Sequence, residues 1–173
     1  MQKQIKILLT ILMALALAVS CAENNPNNPT EDLNTPPDNE WVNNANFTKL
    51  QKTWQYDNYN GGYDIKADRV DDWAGTAVNY SVAIKEIVWN SDNKSGIIYG
   101  QYTTAPSYNP NVVNKYYAIA FQNLTETTIE IAGASKDLGN GTYDSSAESL
   151  EEAKTKFTEA NGYFYYSKLN VVQ

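Results

Sequence analysis

From Trp41 to the end of the chain, short runs of aromatic and β-branched residues are separated by turn-forming residues such as Gly, Asn and Pro. The turns recur at roughly the 8–12 residue spacing that is typical of β-sandwiches and β-barrels. This pattern predicts that strands dominate residues 41–173 and that they form a single, mainly β domain.

Alternation of apolar and polar side chains marks the individual strands. The longest run starts at Ala77 and ends at Trp89, and its apolar positions change face between Ile84 and Ile87. Such a change of phase indicates a β-bulge or a strongly bent strand. The remaining predicted strands cover residues 53–58, 63–70, 97–103, 115–122, 127–132 and 163–171.

Two local signals predict how the strands are connected. The sequence Asn-Gly-Gly at residues 60–62 predicts a tight hairpin turn in which glycine adopts a positive φ. Residues 149–160 predict the one helix, because Ser149 and Glu152 match a capping box and the apolar residues share one helical face. Gly162 is expected to follow the end of this helix.

Seven or eight antiparallel strands with one late amphipathic helix fit two architectures. A β-sandwich leaves edge strands exposed, whereas a small closed barrel leaves no strand edge unpaired. The sequence therefore favours an antiparallel β-barrel over residues 41–173, with a sandwich as the alternative.

The N-terminus has the layout of a signal peptide for export. Lys3 and Lys6 precede an apolar stretch that runs from Ile7 to Val19. A helix of about 13 residues rises only about 20 Å, short of the roughly 30 Å hydrocarbon core of a bilayer. Residues 1–20 are therefore predicted to be removed rather than retained as a membrane span.

The apolar stretch ends in Leu-Ala-Val-Ser-Cys, which resembles the lipobox of bacterial lipoproteins. Ala18 stands where a common lipobox has leucine, as in the looser lipoboxes of spirochaete-type lipoproteins. The resemblance implies that Cys21, the only cysteine, carries fatty acids such as palmitate. Acylation of this kind would anchor the exported chain to the outer membrane, on its periplasmic or cell-surface face. An ordinary secretory signal with an incidental cysteine is the alternative.

Residues 21–40 predict a disordered, hydrophilic tether, because Asn and Pro dominate and Leu33 is the one aliphatic residue beyond Ala22.

Loss of Lys3 and Lys6 with the signal peptide leaves 11 basic and 20 acidic residues, a formal net charge of −9. Such a surface repels phosphate backbones, so nucleic acid is not expected as a partner.

Two stretches of the β domain resemble known families. Residues 50–54, Leu-Gln-Lys-Thr-Trp, look like the entry to a lipocalin barrel, in which a tryptophan near the start of the first strand plugs one end. Lys52 stands where the lipocalin motif has glycine. Residues 96–169 are similar to small repeat-like domains of treponemal lipoproteins, through the blocks GIIYGQYT, KYYAIAFQNLTETTIEIAGA and SLEEAKTKFTEANGYFYYSKL. This resemblance implies an anchor and a β fold, and it transfers no site residue.

The residue inventory excludes several classes of enzyme. The chain has no histidine and no cysteine besides Cys21, which excludes Ser-His-Asp and Cys-His sites and zinc sites built on histidine or thiolate. Four aspartates lie beside Lys66 and Arg69, and we interpret them as a solvated face rather than a glycosidase or calcium site. No cofactor or metal site is predicted, and the protein is expected to be non-enzymatic. The four aspartates are Asp64, Asp68, Asp71 and Asp72.

Thirteen tyrosines and four tryptophans favour a binding function, because these side chains combine a large contact area with a polar tip. Two hypotheses stay open. In one, a packed barrel binds a protein or glycan through its outer surface; in the other, a lipocalin-like barrel carries a small apolar ligand inside. Alternatively, the aromatic residues only fill the core. The candidate ligand-binding residues are Trp54, Trp89, Tyr117 and Phe121.

Overall fold

A computed structural model describes residues 40–139 and 141–173. The predicted signal peptide, Cys21 and the predicted tether up to residue 39 lie outside the described residues. Among the helices that the structure describes, none is both long enough and apolar enough to cross a bilayer.

Within the described residues, eight antiparallel strands close into a barrel, which confirms the predicted fold class. Each barrel strand pairs with the next one along the chain except β7, which pairs with β10, and β10 closes the barrel against β1. The short strands β8 (Lys136–Asp137) and β9 (Tyr143–Asp144) form a separate hairpin between them in sequence. The barrel strands are β1 (Thr53–Tyr56), β2 (Gly61–Ile65), β3 (Arg69–Ala74), β4 (Ala77–Trp89), β5 (Gly96–Thr104), β6 (Tyr116–Gln122), β7 (Thr128–Gly133) and β10 (Ser167–Val171).

The barrel has two different ends, because successive strands run in opposite directions. One end, which we call the closed end, carries the turns at residues 66–68, 90–95 and 123–127. The other end, which we call the open end, carries the turns at residues 57–60 and 75–76, the loop 105–115 and the long connection 134–166.

Residues 41–52 cover the closed end. Trp41 donates its indole hydrogen bond to the Ala67 carbonyl in the turn 66–68, at 2.9 Å. Phe47 and Leu50, from the short helix α1 (Phe47–Leu50), are fully buried, and Trp54 donates to the Leu50 carbonyl at 2.9 Å. Trp54 is fully buried behind this segment.

The interior of the barrel is filled by inward-facing apolar side chains that lie opposite one another on neighbouring strands. Ile98 is paired with Ile119, and Phe121 is paired with Ile131. Burial of such a side chain stabilises the fold by about 1.5–3 kcal/mol. The largest fully buried side chains include Trp54, Tyr102, Phe121, Ile65, Ile98, Ile119, Ile129, Ile131 and Leu169.

Helix α2 (Leu150–Lys156) covers part of the outside of the barrel. Tyr99 and Ala118 face outward from β5 and β6 and are nevertheless buried, since α2 contacts these two strands. The Tyr99 hydroxyl donates to the Phe157 carbonyl at 3.2 Å, and Lys154 pairs with Glu86 of β4 at 3.0 Å.

The predicted N-cap of α2 is confirmed, but the helix is shorter than predicted. Ser149 Oγ accepts a hydrogen bond from the Glu152 amide at 3.1 Å. The helix ends at Lys156, because the Asn161 side-chain amide donates to the carbonyls of Thr155 and Lys156 and so satisfies them without a further helical turn. The chain continues as a 3-10 turn at Glu159–Asn161.

The predicted bulge in the longest strand is confirmed. The pairing of β4 with β5 shifts between Ile84 and Glu86, which moves the inward positions from Ile84 to Ile87 and Trp89. Without this shift, the apolar side chains of the second half of β4 would face away from the core.

The prediction of one strand over residues 63–70 is wrong, because this segment contains the turn between β2 and β3. The Lys66 amide donates to the Arg69 carbonyl at 2.8 Å, and Ile65 is paired with Val70. Polar residues at 66 and 68 continue the alternation of the strand before them, which conceals the turn in the sequence.

The predicted positive φ at Gly61 and Gly62 is also wrong. Both glycines belong to β2, and the positive-φ glycines of the described residues are Gly75, Gly139, Gly141 and Gly162. Gly62 is needed for close approach instead, because a Cβ at this position would overlap the carbonyl group of Trp54 on β1. The hairpin itself exists, with residues 57–60 as its turn.

Candidate functional site

A cavity of about 440 Å³ lies at the open end of the barrel, and we call it the mouth cavity. Strands β2, β3, β4, β6 and β7 supply its walls, and the loop 105–115 lies over it. The lining residues are Tyr63, Asp72, Asn79, Tyr80, Pro106, Ser107, Tyr108, Tyr117 and Gly133.

Tyrosine side chains form most of the wall of the mouth cavity. The hydroxyl groups of Tyr63 and Tyr80 lie 3.5 Å apart, and the ring of Tyr80 contacts that of Tyr117 edge-on at a centroid distance of 5.7 Å. Gly133 leaves room for the Tyr117 hydroxyl, because a Cβ at this position would overlap it. Burial raises the pKa of Tyr63, Tyr80 and Tyr117 above the usual value, so that all three are neutral at physiological pH.

Asp72 is the one acidic residue among those that line the mouth cavity. It lies on β3 opposite Tyr63 of β2 and Tyr80 of β4, and its carboxylate accepts a hydrogen bond from the Asn79 side chain at 2.6 Å. Within the described residues it has no ion pair with a lysine or arginine. Burial raises the pKa of Asp72 to about 6, although the hydrogen bond from Asn79 acts in the opposite direction.

Asp71, the preceding residue, has a quite different environment. Its carboxylate lies on the outer face of the sheet, where Lys66 contacts it at 2.6 Å and Arg69 at 3.2 Å, and Ser81 donates to it at 2.7 Å. Burial alone would raise the pKa of Asp71, but these three hydrogen bonds lower it below the usual value. Asp71 is only 4% exposed, so it is a buried, ion-paired carboxylate rather than part of a freely solvated face.

Because Asp71 and Asp72 face opposite sides of the sheet, they do not form the pair of carboxylates that glycoside hydrolysis requires. Across residues 40–139 and 141–173, no three acidic side chains converge in a way that would hold a metal ion. The lining of the mouth cavity combines tyrosine hydroxyls and rings with one carboxylate, which suits binding through hydrogen bonds, charge and aromatic contact.

The four candidate ligand-binding residues from the sequence do not share one cavity. Tyr117 lines the mouth cavity, whereas Trp54 is fully buried near the closed end. Trp89 and Phe121 form an edge-on aromatic pair at 4.9 Å, and Phe121 also borders a separate cavity of about 250 Å³ near Asn90.

Tyr63, Tyr80 and Tyr108 line the mouth cavity but were not candidates from the sequence, and Asp72, which also lines it, was interpreted as part of a solvated face. Because side chains alternate between the two faces of β3, Asp71 and Asp72 must face opposite sides of the sheet. Which of the two faces inward depends on the register of β3 against β2, and that register depends on the turn 66–68.

A second depression, of about 610 Å³, lies between the loop 105–115 and the β8–β9 hairpin. Tyr108 borders both this depression and the mouth cavity. Its described lining includes Ser135, Thr142 and Tyr143 and has no charged side chain. Asp72 thus distinguishes the mouth cavity as the more specific site.

Comparisons of the chain with protein-family models, with curated proteins and with solved structures found no match.

Proposed function

We propose that this protein is an exported, non-enzymatic lipoprotein of the treponemal type that is anchored to the outer membrane through Cys21 and binds a small ligand in its mouth cavity. The observation that carries the binding role is the mouth cavity, with its neutral tyrosines and the carboxylate of Asp72. Its volume of about 440 Å³ falls within the roughly 300–1,000 Å³ of typical small-molecule sites.

The packing of the interior favours a ligand at the mouth over an apolar ligand deep in the barrel. Below the mouth, Ile98, Ile119 and Phe121 are each about 1% exposed. A lipocalin-like carrier of a hydrophobic ligand would need this space to be empty. The polar groups around the mouth instead suit a ligand that forms hydrogen bonds.

Binding of a protein or glycan by the outer surface is the second candidate function. It is favoured by aromatic side chains that protrude into solvent, where they offer contact area with a polar tip. Tyr108 and Tyr165 are each 76% exposed, and Tyr59 and Tyr143 are more than half exposed.

Blocking the mouth tests the proposed site. Ser107 is exposed on the loop 105–115 and lines the cavity, so Ser107→Trp is expected to fill the entrance without disturbing the core. Native mass spectrometry of the mature protein purified from its host should detect a bound small molecule that Ser107→Trp loses. The control is Ser91→Trp, which adds the same side chain to an exposed loop at the closed end. A ligand retained by Ser107→Trp, or no bound molecule in the unmodified protein, would argue against the mouth as the site.

The anchor is tested by Cys21→Ser. We expect an unprocessed precursor that incorporates no labelled fatty acid, since the chain has no second cysteine. The measurement is metabolic labelling with a fatty acid, followed by gel analysis of the precursor and mature forms. Ser20→Ala keeps a small residue before the cysteine and should be labelled normally. Normal labelling of Cys21→Ser would refute the lipoprotein assignment.

A further inference from the structure

Asp72 is separated from the cations of its own hairpin by the alternation of the sheet. Lys66 and Arg69 lie close to it in sequence, but both pair with Asp71 on the outer face. On the inner face, the hydrogen-bond partner of Asp72 is the neutral side chain of Asn79. A carboxylate that is partly removed from water without a cation is unfavourable.

The titratable groups that face Asp72 are all tyrosines. They are Tyr56 on β1, Tyr63 on β2, Tyr80 on β4, Tyr108 on the loop 105–115 and Tyr117 on β6, whereas β7 lines the cavity with Gly133. Tyr56, Tyr63, Tyr80 and Tyr117 each have a raised pKa, with burial as the largest cause and the charge of Asp72 as a further one. The cavity thus presents hydroxyl oxygens, the electron-rich faces of aromatic rings and a single negative charge.

We infer that the mouth cavity recognises a small protonated amine, with Asp72 as its counter-ion and the tyrosine hydroxyls of Tyr63, Tyr80 and Tyr117 as hydrogen-bond acceptors. This inference rests on the proposed function and names the chemistry of its ligand. An ammonium group supplies several N–H donors for these oxygens, and aromatic faces attract a cation within about 6 Å of the ring centre.

Three alternatives fit the cavity less well. Calcium takes six to eight oxygen ligands and usually several carboxylates, whereas the mouth cavity offers only Asp72. A neutral polar ligand would use the hydroxyls but would leave the carboxylate without a cation. An anion would be repelled by Asp72 and by the net negative charge of the chain, which instead attracts cations.

The experiment compares three ligands of similar shape by isothermal titration of the mature, detergent-solubilised protein. They are phenethylamine, which is a cation at neutral pH, the neutral phenethyl alcohol and the anionic phenylpropionate. We expect the amine to bind at least about tenfold more tightly than the alcohol, and the anion to bind most weakly. Heats measured with detergent alone correct for partition into micelles.

The variant Asp72→Asn keeps the shape of the side chain and removes its charge. It should weaken amine binding about tenfold or more and leave alcohol binding unchanged. Asp68→Asn, which makes the same change of net charge at an exposed site, should alter neither. Equal affinity for amine and alcohol, or an unchanged amine affinity in Asp72→Asn, would overturn the amine inference and leave the mouth as a binding site. Binding of none of the three ligands, together with no co-purified molecule, would overturn the proposed function itself.

Discussion

Replacing Phe121 with alanine is expected to lower the free energy of unfolding by about 3–5 kcal/mol, the usual effect of deleting a buried aromatic side chain. Phe121 is 1% exposed and packs edge-on against Trp89 at 4.9 Å. Its partner on β5 is Gly96, which has no side chain that could fill the space left by the ring.

The change is measured by urea unfolding followed by circular dichroism. Tyr165→Ala is the matched control, because it removes an aromatic side chain that is 76% exposed, and its effect should stay within about 0.5 kcal/mol. A loss of less than about 1 kcal/mol for Phe121→Ala would indicate a loosely packed interior. That result would revive the hypothesis of an apolar ligand inside the barrel.

Replacing Asp72 with asparagine is expected to stabilise the protein at pH 8 and to have no effect near pH 3. The pKa of Asp72 is about 6 in the folded protein, against an ordinary value of 3.8. At pH 8 the side chain is ionised in both states, and the folded state is penalised by roughly 2–3 kcal/mol. As the pH falls through 6 the folded protein binds a proton first, so the unmodified protein gains stability until the unfolded chain is protonated as well.

Urea unfolding at a series of pH values between 3 and 8 measures this difference. The hydrogen bond from Asn79 can be kept in Asp72→Asn, because the asparagine carbonyl oxygen also accepts. Asp68→Asn, which removes the same charge at an exposed site, is the matched control. A variant Asp72→Asn that is less stable than the unmodified protein at pH 8 would show that the carboxylate already has a favourable partner.

The unfavourable ionisation of Asp72 in the empty cavity should affect how the proposed ligand binds. Sites that bind charged ligands often hold groups that destabilise the empty protein, and binding relieves the penalty. An ammonium group beside Asp72 would favour its ionised form and lower its pKa. Amine binding should therefore weaken as the pH falls through 6, since the carboxylate must lose its proton to accept the cation.

Much of the barrel could be predicted from the sequence, because its strands have one face in the core and one in solvent. The bulge in β4 could be predicted because the apolar side chains before and after it both face the interior. The alternation of apolar residues therefore changes phase between Ile84 and Ile87. The turn 66–68 was not visible, because it contains neither Gly nor Pro and its polar residues continue the alternation of β2. One strand was therefore predicted where the structure has two.

The same missed turn explains why the candidate site was only partly predicted. Tyr117 could be placed on an inward face from β6 alone. Placing Asp72 in the mouth requires the register of β3 against β2, in which Tyr63 lies opposite Asp72. A shift of that register by one residue would place Asp71 inside and Asp72 outside. The turn 66–68 sets this register, and no Gly or Pro marks that turn in the sequence. The sequence therefore could not show which aspartate lies at the mouth.

Both ends of the described domain emerge at the closed end of the barrel. Residues 41–52 cover that end, and the Val172 amide donates to the Thr53 carbonyl there at 2.9 Å. The mouth cavity is therefore bordered only by strand ends and internal connections. An affinity tag, linker or fusion partner should therefore leave the entrance free, whether it is joined before Trp41 or after Gln173. Binding assays with the immobilised protein are then feasible with attachment at either end.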